Sequence, residues 1–245
     1  MHSSFTFLSS SRIAIHCKNV SAPHFFAGKN REGGTPTAQE KLNAQAGVRR
    51  CIYLKQCHGT EIFLFSPEDD WPDMLPEADA AVTARRDVYL AVKTADCAPI
   101  LIDAGDAVAV IHAGWRGACK GIVVQCVTAL ENLSSLPKTE WKALIGPCVR
   151  QENFEVKDDF IAEATALAGD IAPYLSHVPN DAGETRAFFD LPRFVLDALR
   201  SAGVNAAIES GVDTFPLGSG YYSHRRSTQA GTSRPSHNFS YIGVK

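Results

Sequence analysis

Three side chains suited to holding a metal stand singly along the 245-residue chain: His58, Cys97 and His112. Each lies beside a glycine or at the end of an apolar, strand-like run, where backbone approaches closely and side chains converge. Two imidazoles and one thiolate with a fourth position left open make a catalytic zinc set. The competing reading is a buried thiol and two surface histidines, because no short Cys-x-x-Cys knuckle accompanies them. Lys55, Lys93, Arg116 and Arg225 are close in sequence to the three residues or to the Arg225-Arg226 pair. Cations around a metal-bound nucleophile favour an anionic substrate such as phosphate. Asp79 interrupts an apolar run, either on the outer face of a strand or as an inward carboxylate serving the site.

The elements that must place these residues are read from periodicity. Residues 98–102 and 107–111 are apolar strand-like runs joined by Asp103-Ala104-Gly105-Asp106, which has the chemistry of a hairpin loop. Antiparallel pairing brings Cys97 and His112 to the same end. After His112, two glycines flank Trp115 and Arg116, and an apolar 3.6-residue period predicts a helix over residues 122–133 entered through a tight turn. The N-terminus of such a helix with an arginine beside it suits an anion. Residues 51–56 and 60–65 read as strands, which puts His58 at a hairpin tip or strand end. Further strands are expected at 5–8, 13–17, 78–83, 88–92, 141–145 and 239–244, and helices at 157–168 and 191–202, the latter stopped by Gly203. Residues 28–36 read as a loop, and Thr37 with Glu40 has the spacing of a capping box opening a short helix through Ala46. If the Arg225-Arg226 pair lies on a strand, one arginine enters a cleft and the other stays in solvent. Strands and helices in irregular alternation predict a mixed α/β fold.

Composition narrows the class. A net charge of -3 and no Lys/Arg-rich run give no field for a nucleic acid polymer. No apolar run approaches the length of a membrane helix and the N-terminus does not resemble a secretory signal, so the cytoplasm is the expected location. Seven cysteines, an odd count in a chain of this size, argue for buried thiols over a disulfide framework.

Taken in order, Lys55-Gln56-Cys57-His58-Gly59-Thr60, Ala78-Asp79-Ala80, Thr94-Ala95-Asp96-Cys97-Ala98-Pro99-Ile100, His112-Ala113-Gly114-Trp115-Arg116-Gly117, Ile145-Gly146-Pro147-Cys148 and Ser223-His224-Arg225-Arg226 resemble the successive motifs of the laccase-domain family. That family is also called multicopper polyphenol oxidase, and its members are now regarded as purine nucleoside phosphorylases with adenosine deaminase activity. The resemblance implies an α/β fold, a single layered domain over residues 1–245 of mixed β-sheets packed with helices. It implies zinc held by His58, Cys97 and His112. Asp96 joins these three as a candidate catalytic residue, and Lys55, Gln56, Asp79, Arg116 and Arg225 are the candidate substrate-binding residues. The implied substrates are purine nucleosides (adenosine, inosine, methylthioadenosine) and phosphate. Phosphorolysis and deamination both need a proton shuttle, for which Asp96 and Asp79 are the candidates; Asp96 instead bonds backbone or orients a ligand histidine in the competing reading. Three segments depart from the family pattern: residues 25–34, Asn153-Phe154 where many members have Cys-Tyr, and Asp213-Thr214 where many have Cys-Thr.

Copper is the alternative metal, with a polyphenol oxidase as the alternative enzyme. The eight histidines include no His-x-His pair for a multicopper cluster, and the two methionines, Met1 and Met74, are not in ligand-like turns for a blue-copper axial position. A structural zinc would want a fourth protein ligand, and none is evident.

Overall fold

Ala98–Asp103 and Val108–Ala113 form the antiparallel hairpin that their sequence predicts, in register from Ala98 opposite Ala113 to Asp103 opposite Val108. Gly105 turns the loop at φ 83°, a left-handed conformation that carries no Cβ penalty in glycine. Every residue of both strands is buried, so the hairpin must be covered on two faces. Strand alternation sorts its side chains. Ile100, Ile102, Ala109 and Ile111 join one core with Ile122, Cys126, Leu130 and Val195. Leu101, Val108 and Val110 join another with Ile52, Leu90, Val92 and Ile242. The result is a sheet with helices on one face and a second sheet on the other.

The computed structural model describes residues 5–7, 12–17, 20–30, 50–179, 183–232 and 236–245. Its strands, in chain order, are β1 (Phe5–Phe7), β2 (Arg12–Cys17), β3 (His24–Asn30), β4 (Cys51–Tyr53), β5 (Ile62–Phe65), β6 (Ala80–Thr83), β7 (Tyr89–Thr94) and the hairpin β8 and β9. They continue with β10 (Lys142–Ile145), β11 (Glu155–Val156), β12 (Leu175–Pro179), β13 (Thr185–Phe189), β14 (Ala206–Glu209) and β15 (Asn238–Gly243). The helices are α1 (Trp115–Cys119), α2 (Ile122–Glu131), α3 (Asp158–Ala168), α4 (Leu191–Ser201) and α5 (His224–Gln229). One sheet runs β1-β2-β3-β15-β7-β4, the second β14-β10-β8-β9-β6-β5, and a small third sheet β11-β13-β12. The pairs β4–β7, β5–β6 and β10–β14 are parallel within otherwise antiparallel sheets, which makes the fold mixed α/β as expected. Among the described residues, no helix is long and apolar enough to cross a membrane.

Several elements differ from their sequence reading for identifiable reasons. The strands before and after His58 are not a hairpin: β4 pairs with β7 in the first sheet and β5 with β6 in the second, so residues 54–61 cross between layers. Gly28 belongs to β3 and not to a loop. A Cβ there would lie 2.6 Å from the Gly220 carbonyl and 2.9 Å from the Tyr221 ring, so glycine serves close packing. The predicted helix from Thr37 and the loop beyond Asn30 lie outside the described residues. Around Arg225 the chain is helical: Ser223 caps α5 by accepting from the Arg226 amide at 3.1 Å. The α2 helix buries the predicted stripe of Ile122, Val123, Cys126, Val127 and Leu130, while Gly121, at φ 87°, separates it from the one-turn α1.

Leu101→Ala should lower stability by about 2–5 kcal/mol in urea unfolding, since its side chain fills the space between two sheets. Val124→Ala, on the exposed side of α2, should stay within about 0.5 kcal/mol of the parent.

Candidate active site

Three connections converge at one end of the two-sheet stack: residues 54–61 after β4, residues 95–97 between β7 and β8, and the exit of β9 into α1. There the ligand atoms of His58, Cys97 and His112 lie within 4.8 Å of one another, the one such group of three or more His, Cys, Asp or Glu among the described residues. The two imidazole rings meet edge-on, centroids 4.7 Å apart. Gly114 faces all three. A Cβ at that position would lie 3.0 Å from His58 Cδ2 and 3.2 Å from Cys97 Sγ, so any side chain would press into the ligand set.

Asp79 organises this group from beneath. It is fully buried, which settles the inward reading of its position. Its carboxylate accepts from His112 Nδ1 at 2.7 Å, from the amides of Cys57, His58 and Gly59 at 3.1, 3.0 and 2.7 Å, and from the Cys57 thiol at 3.1 Å. Its carbonyl accepts from the His112 amide at 2.7 Å. Burial works against the charge, but the bonds from His112, Gly59 and Cys57 more than offset it and hold the Asp79 pKa far below the usual carboxylate range. An ionised carboxylate only accepts, so His112 Nδ1 carries the proton and Nε2 is left for a metal. The same bonds hold His58 at φ 61°, an uncommon conformation for a residue with a Cβ.

Electrostatics single out one cysteine of the seven, all of which are free. Burial pushes Cys51 up to about 12 and Cys119 up to about 11, and raises Cys126 and Cys148 as well. Cys57 is raised mainly by its bond to Asp79. Burial also acts to raise Cys97, but the adjacent His112 and His58 overcome it and bring the thiol down to about 6. His112 moves the opposite way: burial lowers it, yet Cys97 and Asp79 lift it to about 9. A thiolate at neutral pH is the form that binds a metal. The donor set, the oriented tautomer and the space kept by Gly114 all fit a zinc ion.

Two chambers adjoin the group. One of about 460 Å³ is the more polar of the two and is lined by Gln56, Lys93, Thr94, His224 and His237 together with the ligand set. The other, about 640 Å³, has apolar walls from Trp115, Val149, Phe154 and Leu191, with Asp96, Lys157 and Arg225 at its margin. They share Ala95, Cys97 and His224.

The remaining sequence candidates distribute unevenly. Gln56 lines the polar chamber with its amide bonded both ways to the Lys93 backbone, at 2.8 and 2.9 Å. Asp96, at φ 88°, accepts from Thr214 Oγ1 at 2.6 Å, Ser223 Oγ at 3.0 Å and the Arg225 amide at 2.7 Å, so it ties the turn before Cys97 to the start of α5. Arg225 reaches the apolar chamber and donates to the Glu155 carbonyl at 3.0 Å. Arg226 does not stay in solvent; it donates to the carbonyls of Thr214, Phe215, Pro216 and Tyr221. Lys55 is exposed and paired with Glu77 at 2.7 Å. Arg116 lines neither chamber, stacking 4.2 Å over Trp115 and pairing with Glu163 at 2.8 and 2.9 Å. Thr94, His224 and His237 also line the polar chamber but were not among the sequence's site candidates: Thr94 and His224 stand in family-like motifs without a metal-like spacing, and His237 stands in none. Two of the departures from the family pattern are coupled: Asn153 Nδ2 donates to Asp213 Oδ2 at 2.7 Å.

A layered fold with a candidate His/Cys/His metal site at the crossings between two sheets defines the class, a mixed α/β protein. The chain belongs to the family described as multi-copper polyphenol oxidoreductase laccase, whose model matches residues 34–235. It is 32% identical over 178 residues to a purine nucleoside phosphorylase of Rickettsia conorii, covering 72% of this chain and 70% of that one. A purine nucleoside phosphorylase of Mycobacterium tuberculosis is 30% identical over 227 residues, 86% of this chain and 84% of its own. Among solved structures, the hypothetical protein YfiH of Bacillus licheniformis superposes with a TM-score of 0.76 at 19% identity, and YlmD from Geobacillus stearothermophilus with 0.76 at 21%, each over 100% of both chains. These share the fold.

In metal-free protein, the ultraviolet absorbance of thiolate should show one group titrating near pH 6 that disappears in Cys97→Ala. The sign follows from the partners: the imidazoles favour the charged form, so thiolate is present above that pH and lost below it. Titration near the ordinary thiol value of 9.0 would mean the histidines do not act on Cys97.

Proposed function

We propose that this protein is a zinc-dependent purine nucleoside phosphorylase that cleaves adenosine, inosine and methylthioadenosine with phosphate and also deaminates adenosine. The observation that carries the reading is the meeting of an aromatic-walled chamber and a polar chamber at Cys97, beside the oriented His58/Cys97/His112 group. A flat purine suits the wall of Trp115 and Phe154, and an anionic co-substrate suits the polar side. The relatives named purine nucleoside phosphorylase support the same substrate class. When bound, zinc supplies a Lewis acid that lowers the pKa of a coordinated water to about 7.

The chain's own residues supply positioning. Asp79 keeps His112 in one tautomer and fixes the backbone on both sides of His58. Arg225, with its guanidinium bonded to the Glu155 carbonyl at the chamber margin, is assigned to the substrate's polar face, and Gln56 to the polar wall. Asp96 remains the proton-transfer candidate on the apolar side, because Cys97 adjoins it and both line that chamber. Lys55 and Arg116 contact substrate only by exchanging Glu77 and Glu163 for it. The reading takes the chain as one domain and places the enzyme in the cytoplasm. A multicopper oxidase needs more than one copper group, and among the described residues a single group of three ligands gathers.

Metal-loaded protein incubated with adenosine should give adenine and ribose 1-phosphate only when phosphate is present, and inosine whether or not it is. Chromatography of the products reads both reactions at once. Intact adenosine, inosine and methylthioadenosine after incubation with folded, metal-loaded protein would defeat the assignment, and oxygen uptake with a phenol would favour the oxidase.

A further inference from the structure

The polar chamber contains a hydroxyl for which the metal group has no use. Thr94 closes β7, and alternation puts its side chain on the face of Leu90 and Val92, toward the second sheet and the His112 end of β9. It is 2% exposed and lines the chamber. Its Oγ1 has no hydrogen-bond partner among the described residues, a state that buried polar groups in folded proteins rarely adopt. A missing partner at the wall of a cavity points to a ligand atom.

The surroundings specify the chemistry of that ligand. Lys93 precedes Thr94, and His237 immediately precedes Asn238, which stands opposite Thr94 in the β15–β7 register. The Asn238 amide exchanges two bonds of 2.8 Å with the Tyr222 backbone, which fixes the approach to His224 on the far wall. An ammonium, a hydroxyl and two imidazoles therefore line a space of about 460 Å³ that has no Asp or Glu in its wall. Donors without a carboxylate select an anion, and a tetrahedral oxyanion has oxygens enough for several donors at once. The aromatic chamber offers no such concentration: its wall carries Asp96 as well as Lys157 and Arg225.

We propose that Lys93, Thr94, His224 and His237 form an oxyanion subsite for inorganic phosphate, and that the purine lies across the Cys97 boundary in the aromatic chamber. The assignment rests on the reading of the enzyme as a phosphorylase and moves its anion site from Arg116 and the N-terminus of α2, where the sequence suggested it, to the end of β7.

The test is direct binding of inorganic phosphate to zinc-loaded protein by calorimetry, beside the phosphate KM of adenosine cleavage. Thr94→Val keeps the shape and removes the hydroxyl, and His237→Ala removes a second donor. Each should weaken phosphate binding about 10-fold or more, the size expected for a lost bond to a charged group, and raise the phosphate KM more than the adenosine KM. Should Thr94→Val fold poorly, His237→Ala carries the same test. Parent-like phosphate affinity in the variants that fold would overturn the subsite, as would loss of phosphate binding in Arg116→Ala with these variants unaffected. Phosphate bound by the parent through these residues with no nucleoside cleaved would uphold the subsite and remove the phosphorylase reading. No phosphate binding by the parent would remove the subsite.

Discussion

A buried negative charge at Asp79 is the constraint to which the site conforms. An ionised carboxylate withdrawn from water is costly unless each oxygen is satisfied, and bonds from charged or strongly polarised partners contribute about 1.5–3 kcal/mol each. Asp79 obtains its donors from two separate pieces of chain, residues 57–59 on the crossing between sheets and His112 at the end of β9. Satisfying one carboxylate thus brings two imidazoles to the same place. The thiol at Cys97 arrives by another route, through the β8–β9 pairing that sets Ala98 opposite Ala113. The convergence of the three side chains follows from hydrogen bonding and strand register alone.

The layers make that arrangement stiff. With β8 and β9 buried on both faces, neither strand can slide without exposing a full row of side chains, since a shift by one residue inverts every face. Two glycines permit the close contacts this demands. Gly114 keeps the space among the three ligands clear, and a Cβ at Gly117 would sit 2.7 Å from the Gly59 carbonyl, which presses α1 against the His58 crossing. On the other side, Asp96 links the turn before Cys97 to Thr214 and α5, so both chambers are bounded by one hydrogen-bonded frame.

How much of this could be read from the sequence depended on how local the cause was. The β8–β9 hairpin, α2 and α4 were legible because period, turn chemistry and caps lie within a few residues; Asp190 accepts from the Arg193 amide and Gly203 follows at φ 97°. The approach of Cys97 to His112 was legible as geometry through the hairpin, whereas His58 was legible only as chemistry. The sequence left His58 at a hairpin tip or a strand end, since nothing local distinguishes a turn from a change of sheet, and the pairing of β4 and β5 in different sheets excludes the hairpin. The role of Asp79 stayed open because its donors lie 20 to 33 positions away. Arg116 looked like an anion ligand by its neighbours, whereas its bidentate partner Glu163 comes from α3. Thr94 stood in a family-like motif without a role of its own and His237 carried no signal; the alignment of β15 on β7 makes them neighbours of one cavity.

The most direct test of the account is X-ray absorption at the metal edge of protein purified without added metal. The Asp79-organised group predicts one zinc per chain with a single sulfur at about 2.3 Å and two imidazole nitrogens at about 2.0–2.1 Å, the remaining shell being a light atom. Two or more sulfurs, or copper in place of zinc, would contradict it.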